Sequence, residues 1–156
     1  MSHPPKARIT ADRIPSDPVE RHEALVSAFG GILMQLRQAV LQERKRYVSD
    51  EEERGRLAKL HRELYDKLAE MPVDQRNVAV EFSMRCMDAY AKELLRLLGN
   101  RGNDLRTEDS KTVRFRLVLE ISDPDTGQIL VEDVVNWGGR RFLPEYWGAW
   151  LNEEEK

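Results

Sequence analysis

Apolar residues recur along this chain with two different periods, and the change from one to the other divides it. Leu25, Phe29, Ile32, Leu33, Leu36 and Val40 step by three and four, the spacing that gathers side chains on one stripe of an α-helix. Arg37, Gln38 and Glu43 fall off that stripe. Just upstream, Asp17 can cap, Pro18 fits the first helical turn where its missing N–H costs nothing, and Glu20 completes a capping box. A first helix is therefore predicted over about 18–46. Gly30 and Gly31 interrupt it, and since each glycine costs roughly 1 kcal/mol against alanine, the pair implies a bend or the close approach of a neighbouring backbone.

Ser49 followed by Glu52 repeats the capping signature, and Leu57, Leu60, Leu64, Leu68 and Met71 form a second stripe that stops at Pro72, a helix over about 50–71. Glu52 with Arg56 and Glu63 with Lys67 are acid-first pairs four residues apart, suited to a solvated face. A third helix, about 74–98, differs in kind. Val78, Val80, Phe82, Met84, Cys86, Met87, Tyr90, Leu94, Leu95, Leu97 and Leu98 cover more than one stripe, which predicts burial on more than one side and makes this helix the spine.

After the loop "GNRGNDLRTEDS" the period drops to two. Val113, Phe115, Leu117, Leu119 and Ile121 alternate with Arg114, Arg116, Val118 and Glu120, the pattern of a strand with one buried face, about 112–122. "DPDTG" is turn chemistry, and "QILVEDVVNW" returns as a second strand, about 128–137, to make a β-hairpin. An isolated hairpin is marginal in water, so it needs the third helix beneath it, an added strand from "ARIT" at positions 7–10, or a second copy of the chain. Pro144 starts a short helix, about 144–152, whose acidic end is unfavourable at a C-terminus. Residues 1–17 hold three prolines and no helical period, and read as an extended or mobile arm. The fold class predicted is α+β: an antiparallel three-helix bundle followed by a β-hairpin and a short C-terminal helix, all within one domain over 18–156.

Charge and composition narrow the functions. The 25 basic and 28 acidic residues nearly cancel, to a net charge of −3, which argues against a general polyanion binder. The single Cys86 excludes an intramolecular disulfide, and the opening "MSHPPKARIT" is not a signal peptide, so with no long apolar span a cytoplasmic home without a membrane is expected. No G-x-G-x-x-G or G-x-x-x-x-G-K-[ST] is present, and Gly138 with Gly139 does not make a phosphate cradle. His3, His22 and His61 lack a second ligand at metal spacing; His61, at the border of the second stripe, reads as a partnered structural histidine. Asp123 and Asp125 open like a calcium loop, but Gly127, Ile129 and Leu130 depart from its spacing. Cys86, between Met84 and Met87, reads as a buried, inert thiol. No catalytic residue, cofactor or metal is predicted.

What remains is "NWGGRRFLPEYWGAWL", which holds all three tryptophans beside an arginine pair. Its aromatic face can close the hairpin core as a lid, and any tryptophan left outside beside Arg140 and Arg141 would have the make-up of a contact hot spot. The predicted function is a non-enzymatic interaction module, regulatory, accessory or inhibitor-type, that contacts another protein or a second copy of itself, as a homodimer. Its surface would be the hairpin edge and the C-terminal segment: Arg114, Arg116, Trp137, Arg140, Arg141, Tyr146, Trp147 and Trp150. A nucleic-acid reading would use Arg114, Arg116, Arg140 and Arg141 on phosphates, joined by Arg101, Arg106 and Lys111, with Trp137 or Trp147 stacking on bases; Asp104, Glu108, Asp109, Glu132 and Asp133 stand against it as neutralising partners. A third reading, an enzyme without a recognisable motif, would need a pocket near His61, Tyr65 or Cys86.

Overall fold

The order of elements follows the caps and turns just described. A computed structural model describes residues 6–7, 9–99, 107–111, 113–137 and 139–154. They form a short 3-10 turn at Ala11–Arg13, then α1 (Pro18–Ser49), α2 (Glu51–Gly55), α3 (Lys59–Glu70), α4 (Val73–Leu98), β1 (Val118–Ser122), β2 (Ile129–Val134) and α5 (Leu143–Glu154). This is an α+β fold in which helices and a two-stranded antiparallel hairpin are followed by a C-terminal helix. Contacts group the chain into two compact units, Leu36–Tyr90 in one, and residues up to Gln35 with those from Ala91 onward in the other.

In the unit that contains the hairpin, α1 starts where the cap places it: Asp17 Oδ1 accepts from the N–H groups of Val19 and Glu20 at 3.0 and 2.9 Å. Leu25 and Val26 are fully buried, and around them pack Leu95, Val135, Leu143, Tyr146, Trp147 and Trp150. Leu117, Leu119, Ile121 and Val131 cover this cluster from the hairpin. The turn is the one expected: Asp123 Oδ1 accepts from Asp125 and Thr126 N–H, and Gly127 takes a positive φ of 69°. The register runs from Val118 opposite Val134 to Ser122 opposite Ile129, with an irregularity after Ile121. "ARIT" adds no strand among its described residues. The arm is instead tied by Gln35, whose side chain accepts from Lys6 N–H and donates to Lys6 C=O, and Ile9 packs on the core.

Both strands are shorter than predicted, and the reason is a side chain. Asn136 is buried; its Oδ1 accepts from Leu117 N–H at 2.8 Å, and its Nδ2 donates to the carbonyls of Phe115 and Leu98. The amide thus takes the Leu117 N–H and the Phe115 C=O, leaving Val135 N–H to Leu117 C=O as a backbone bond there, and satisfies a C-terminal carbonyl of α4, which a helix end leaves without an internal partner.

In the unit formed by Leu36–Tyr90, the predicted second helix is two helices. The cap is Asp50 rather than Ser49, which belongs to α1, and the break falls after Gly55. The gain is visible at Arg54, which pairs with Asp66 at 3.1 Å and donates to the C=O groups of Tyr47 and Val48, the orphaned end of α1. Tyr65 is buried, accepts a hydrogen bond from Arg44 and lies 5.3 Å from the Tyr47 ring, whereas Leu60 and Leu64 of the predicted stripe are exposed. Arg37 grips Asp88 with Nε and Nη2 at 2.7 and 2.9 Å. The Glu52–Arg56 pair forms at 2.6 Å, while Glu63 faces Lys59 at 3.9 Å instead of Lys67.

The largest correction concerns α4, which is not a spine buried all round. Its inward stripe is Val80, Met84, Met87, Ala91, Leu95 and Leu98, spaced by three and four, and Val78, Phe82, Tyr90, Leu94 and Leu97 are exposed. Cys86 is exposed as well, so the expected buried thiol lies on the surface. A further amendment concerns α1, which is long and apolar enough, by length and composition alone, to cross a membrane. Leu25 and Val26 inside it belong to the core, and a core helix passes the same test.

Candidate functional site

The aromatic segment resolves into an inner and an outer part. At the start of α5, Glu145 Oε2 accepts from Phe142 N–H, a reach-back that fixes the first turn and aims Leu143, Tyr146, Trp147 and Trp150 inward. Tyr146 stacks on Trp150 at 5.8 Å, while Trp147 and Phe29 meet the Trp150 ring edge-on at 6.5 and 6.2 Å. Gly30 is what admits that ring: a Cβ there would lie inside the indole, whereas a Cβ on Gly31 would meet nothing. The glycine pair therefore answers to a side chain, not to a backbone. Three of the predicted contact residues, Tyr146, Trp147 and Trp150, are the lid.

Beside the lid runs a part-buried polar cluster that sequence reasoning missed, with His22 and Tyr146 buried and Glu23 and Asp133 half-buried. His22 Nδ1 lies 3.0 Å from Asp133 Oδ2 on β2. Its neighbour Glu23 accepts from the Tyr146 hydroxyl with both oxygens at 2.8 Å and from Arg140 N–H at 3.0 Å. Gly139 closes the cluster, since a Cβ on it would come within 2.7 Å of His22 Nε2. The signal available in the sequence was position: His22 stands three and four residues before Leu25 and Val26, on their stripe. With the imidazole buried and Nε2 turned to the backbone of Gly139, the cluster serves to hold the chain turn between β2 and α5 against α1.

The electrostatics of the cluster set a pH window. Burial, and then the bond to Glu23, push the Tyr146 hydroxyl from its usual 10.0 up to about 12. The folded state thus keeps a proton that the unfolded state gives up, so the contribution of Tyr146 is full below pH 10, its ordinary value, and is lost as pH rises toward 12. For Glu23, burial pushes upward, but the Arg140 N–H, the Tyr146 hydroxyl and the nearby Arg140 and His22 charges outweigh it and hold the carboxyl below 4.5. Its contribution is present above 4.5 and fades as pH falls through the lowered value. We expect Tyr146→Phe to remove the alkaline loss, read by circular dichroism alongside tyrosinate absorbance; an unchanged alkaline transition would contradict the assignment.

The outer part is where exposed predicted residues remain. Trp137 is 38% exposed, and the Arg114 guanidinium lies over its ring at 5.7 Å from the centroid. Arg116, Arg140 and Arg141 are exposed. Among the described residues none of these four arginines makes an ion pair: Asp133 is taken by His22, Asp109 by Lys111, and Glu132 stands opposite Glu120 in the ladder. Arg101, Asp104, Arg106 and Gly138 lie outside the described residues. For the enzyme reading, His61 and Cys86 are exposed, Tyr65 is tied to Arg44, and no hydrogen bond among the described residues joins the three. The partnered histidine expected at position 61 is thus found at position 22. No match to this chain was found among protein-family models, curated proteins or solved structures.

Proposed function

We propose that this chain is a non-enzymatic interaction module, cytoplasmic as its lone thiol suggests, whose Arg/Trp end of the hairpin captures an acidic segment of another protein. The observation that carries this reading is the Arg114 guanidinium 5.7 Å from the centroid of the exposed Trp137 ring, with Arg116, Arg140 and Arg141 also exposed and none of the four in an ion pair among the described residues. A guanidinium over the face of an indole can still offer N–H groups to a carboxylate, and Trp and Arg are among the residues enriched at contact hot spots.

The same arginines favour a second reading, phosphate recognition in a nucleic acid with Trp137 stacking on a base. Tryptophan fluorescence titrations with a glutamate-rich peptide and with a single-stranded oligonucleotide, each at low and high salt, separate the two. The peptide is expected to bind and the oligonucleotide to give a flat trace. Arg114→Ala and Trp137→Ala should each weaken peptide binding by about tenfold. Undiminished binding in both variants moves the contact surface elsewhere, and oligonucleotide binding alone makes the second reading the correct one.

A further inference from the structure

The unit formed by Leu36–Tyr90 buries few apolar side chains: among its described residues only Val48, Tyr65 and Met84 are buried hydrophobics. Its most apolar exposed row runs along α4. Val78, Phe82 and Tyr90 are 65, 67 and 70% exposed, and the exposed Cys86 stands between the last two. These four residues are each four apart, so they form one i, i+4 ridge, the kind of ridge that packs into the matching groove of another helix in the commonest class of helix crossing. Arg85 and Glu81 flank the ridge and meet at 2.7 Å.

We propose that this ridge is the contact surface of a homodimer, in which α4 crosses α4 of a second copy in antiparallel sense about a two-fold axis near residue 84. Charge order selects the second copy and its direction. Reversing the helix about that point sets Glu81 level with Met87 of the other copy, two residues or about 3 Å along the axis from its Arg85, so each of these charges, already paired within its own helix, comes within reach of a second opposite sign. A parallel copy sets like against like. The same reversal lays Val78 on Tyr90 and Phe82 on Cys86, bulky against bulky at the ends and large against small at the crossing. Area agrees with a modest dimer: the row exposes on the order of 450 Å² per copy, and the stems of Glu81 and Arg85 bring the pair to about 1,000 Å², where specific interfaces begin. The expected dissociation constant is therefore about micromolar. This surface is separate from the Arg/Trp end and stands or falls without it.

The experiment is sedimentation equilibrium of the full chain, with circular dichroism as the folding control. Wild type should reach twice the single-chain mass by about 200 µM. Phe82→Glu should be monomeric with unchanged helicity, because the ring it replaces is already outside. Glu81→Arg should weaken the dimer by about tenfold, and the double exchange Glu81→Arg with Arg85→Glu should restore it, since reversed signs still pair across an antiparallel axis. Trp137→Ala should leave the dimer intact. A wild type that stays monomeric hands the ridge to a different partner and overturns the proposal. A dimer that survives Phe82→Glu does the same, and failure of the double exchange to restore association overturns the antiparallel pairing.

Discussion

Replacing Gly30 by alanine should destabilise the protein by about 3 kcal/mol, although alanine is the better helix former by roughly 1 kcal/mol. The new methyl group would occupy the space of the Trp150 indole, and that ring cannot retreat. Tyr146 stacks on one of its faces, and Trp147 and Phe29 meet it edge-on. Gly31, the next residue of the same helix, has open space where its Cβ would be. Gly31→Ala should therefore follow propensity alone and add up to about 1 kcal/mol. Urea denaturation of the two variants reads opposite signs from adjacent positions. The cause is isolated by repeating Gly30→Ala in a Trp150→Leu background, where the smaller side chain leaves room and the cost should shrink to near zero. An equal cost in both backgrounds would show that the indole is not what excludes the methyl group.

Gly30 also shows where sequence patterns stop being informative. The hairpin was legible because its determinants are local: alternation at Leu117, Leu119 and Ile121, and a turn in which Asp123 bonds the N–H groups two and three residues on. The Asp17 cap was legible for the same reason. Burial on α4 was not. Its apolar residues exceed one stripe, and periodicity has no means of deciding which of two apolar rows meets a neighbour. The row with Met84 and Leu95 is inside, and the row with Phe82 and Tyr90, no less apolar, is outside. The site divided along the same line. Composition marked Trp137, Trp147 and Trp150 together, yet only Trp137 is exposed, because α5 turns the other two onto Leu25 and Val26. His22, Glu23 and Asn136 were passed over since a polar side chain acquires a buried role only from partners far along the chain, here Asp133, Tyr146 and Leu98.

Asn136→Ala should cost about 3 kcal/mol, more than most buried asparagines, because one amide meets three backbone groups from two segments, the 113–117 stretch and the end of α4. Its removal takes away the acceptor of Leu117 N–H and a donor to the carbonyls of Phe115 and Leu98 in one step. Asn136→Asp separates the donor role from the acceptor role. The carboxylate still accepts from Leu117 N–H, but it now confronts two carbonyl oxygens that need a donor, so at neutral pH this isosteric variant should be at least as unstable as the alanine one. Burial and the two carbonyls raise the folded-state pKa of the introduced acid above its unfolded value near 3.9. The penalty is therefore full above that raised pKa and recedes as pH falls through it, when the protonated acid regains a donor. Stability curves between about pH 7 and pH 5 should accordingly converge on wild type for Asn136→Asp and stay parallel to it for Asn136→Ala. Exchange of the Leu117 amide should be protected in the aspartate variant and fast in the alanine variant, because only the former keeps an acceptor there. If both variants lost that protection equally and neither responded to acid, the amide would not be what joins the end of α4 to the hairpin, and the short strands would need another cause.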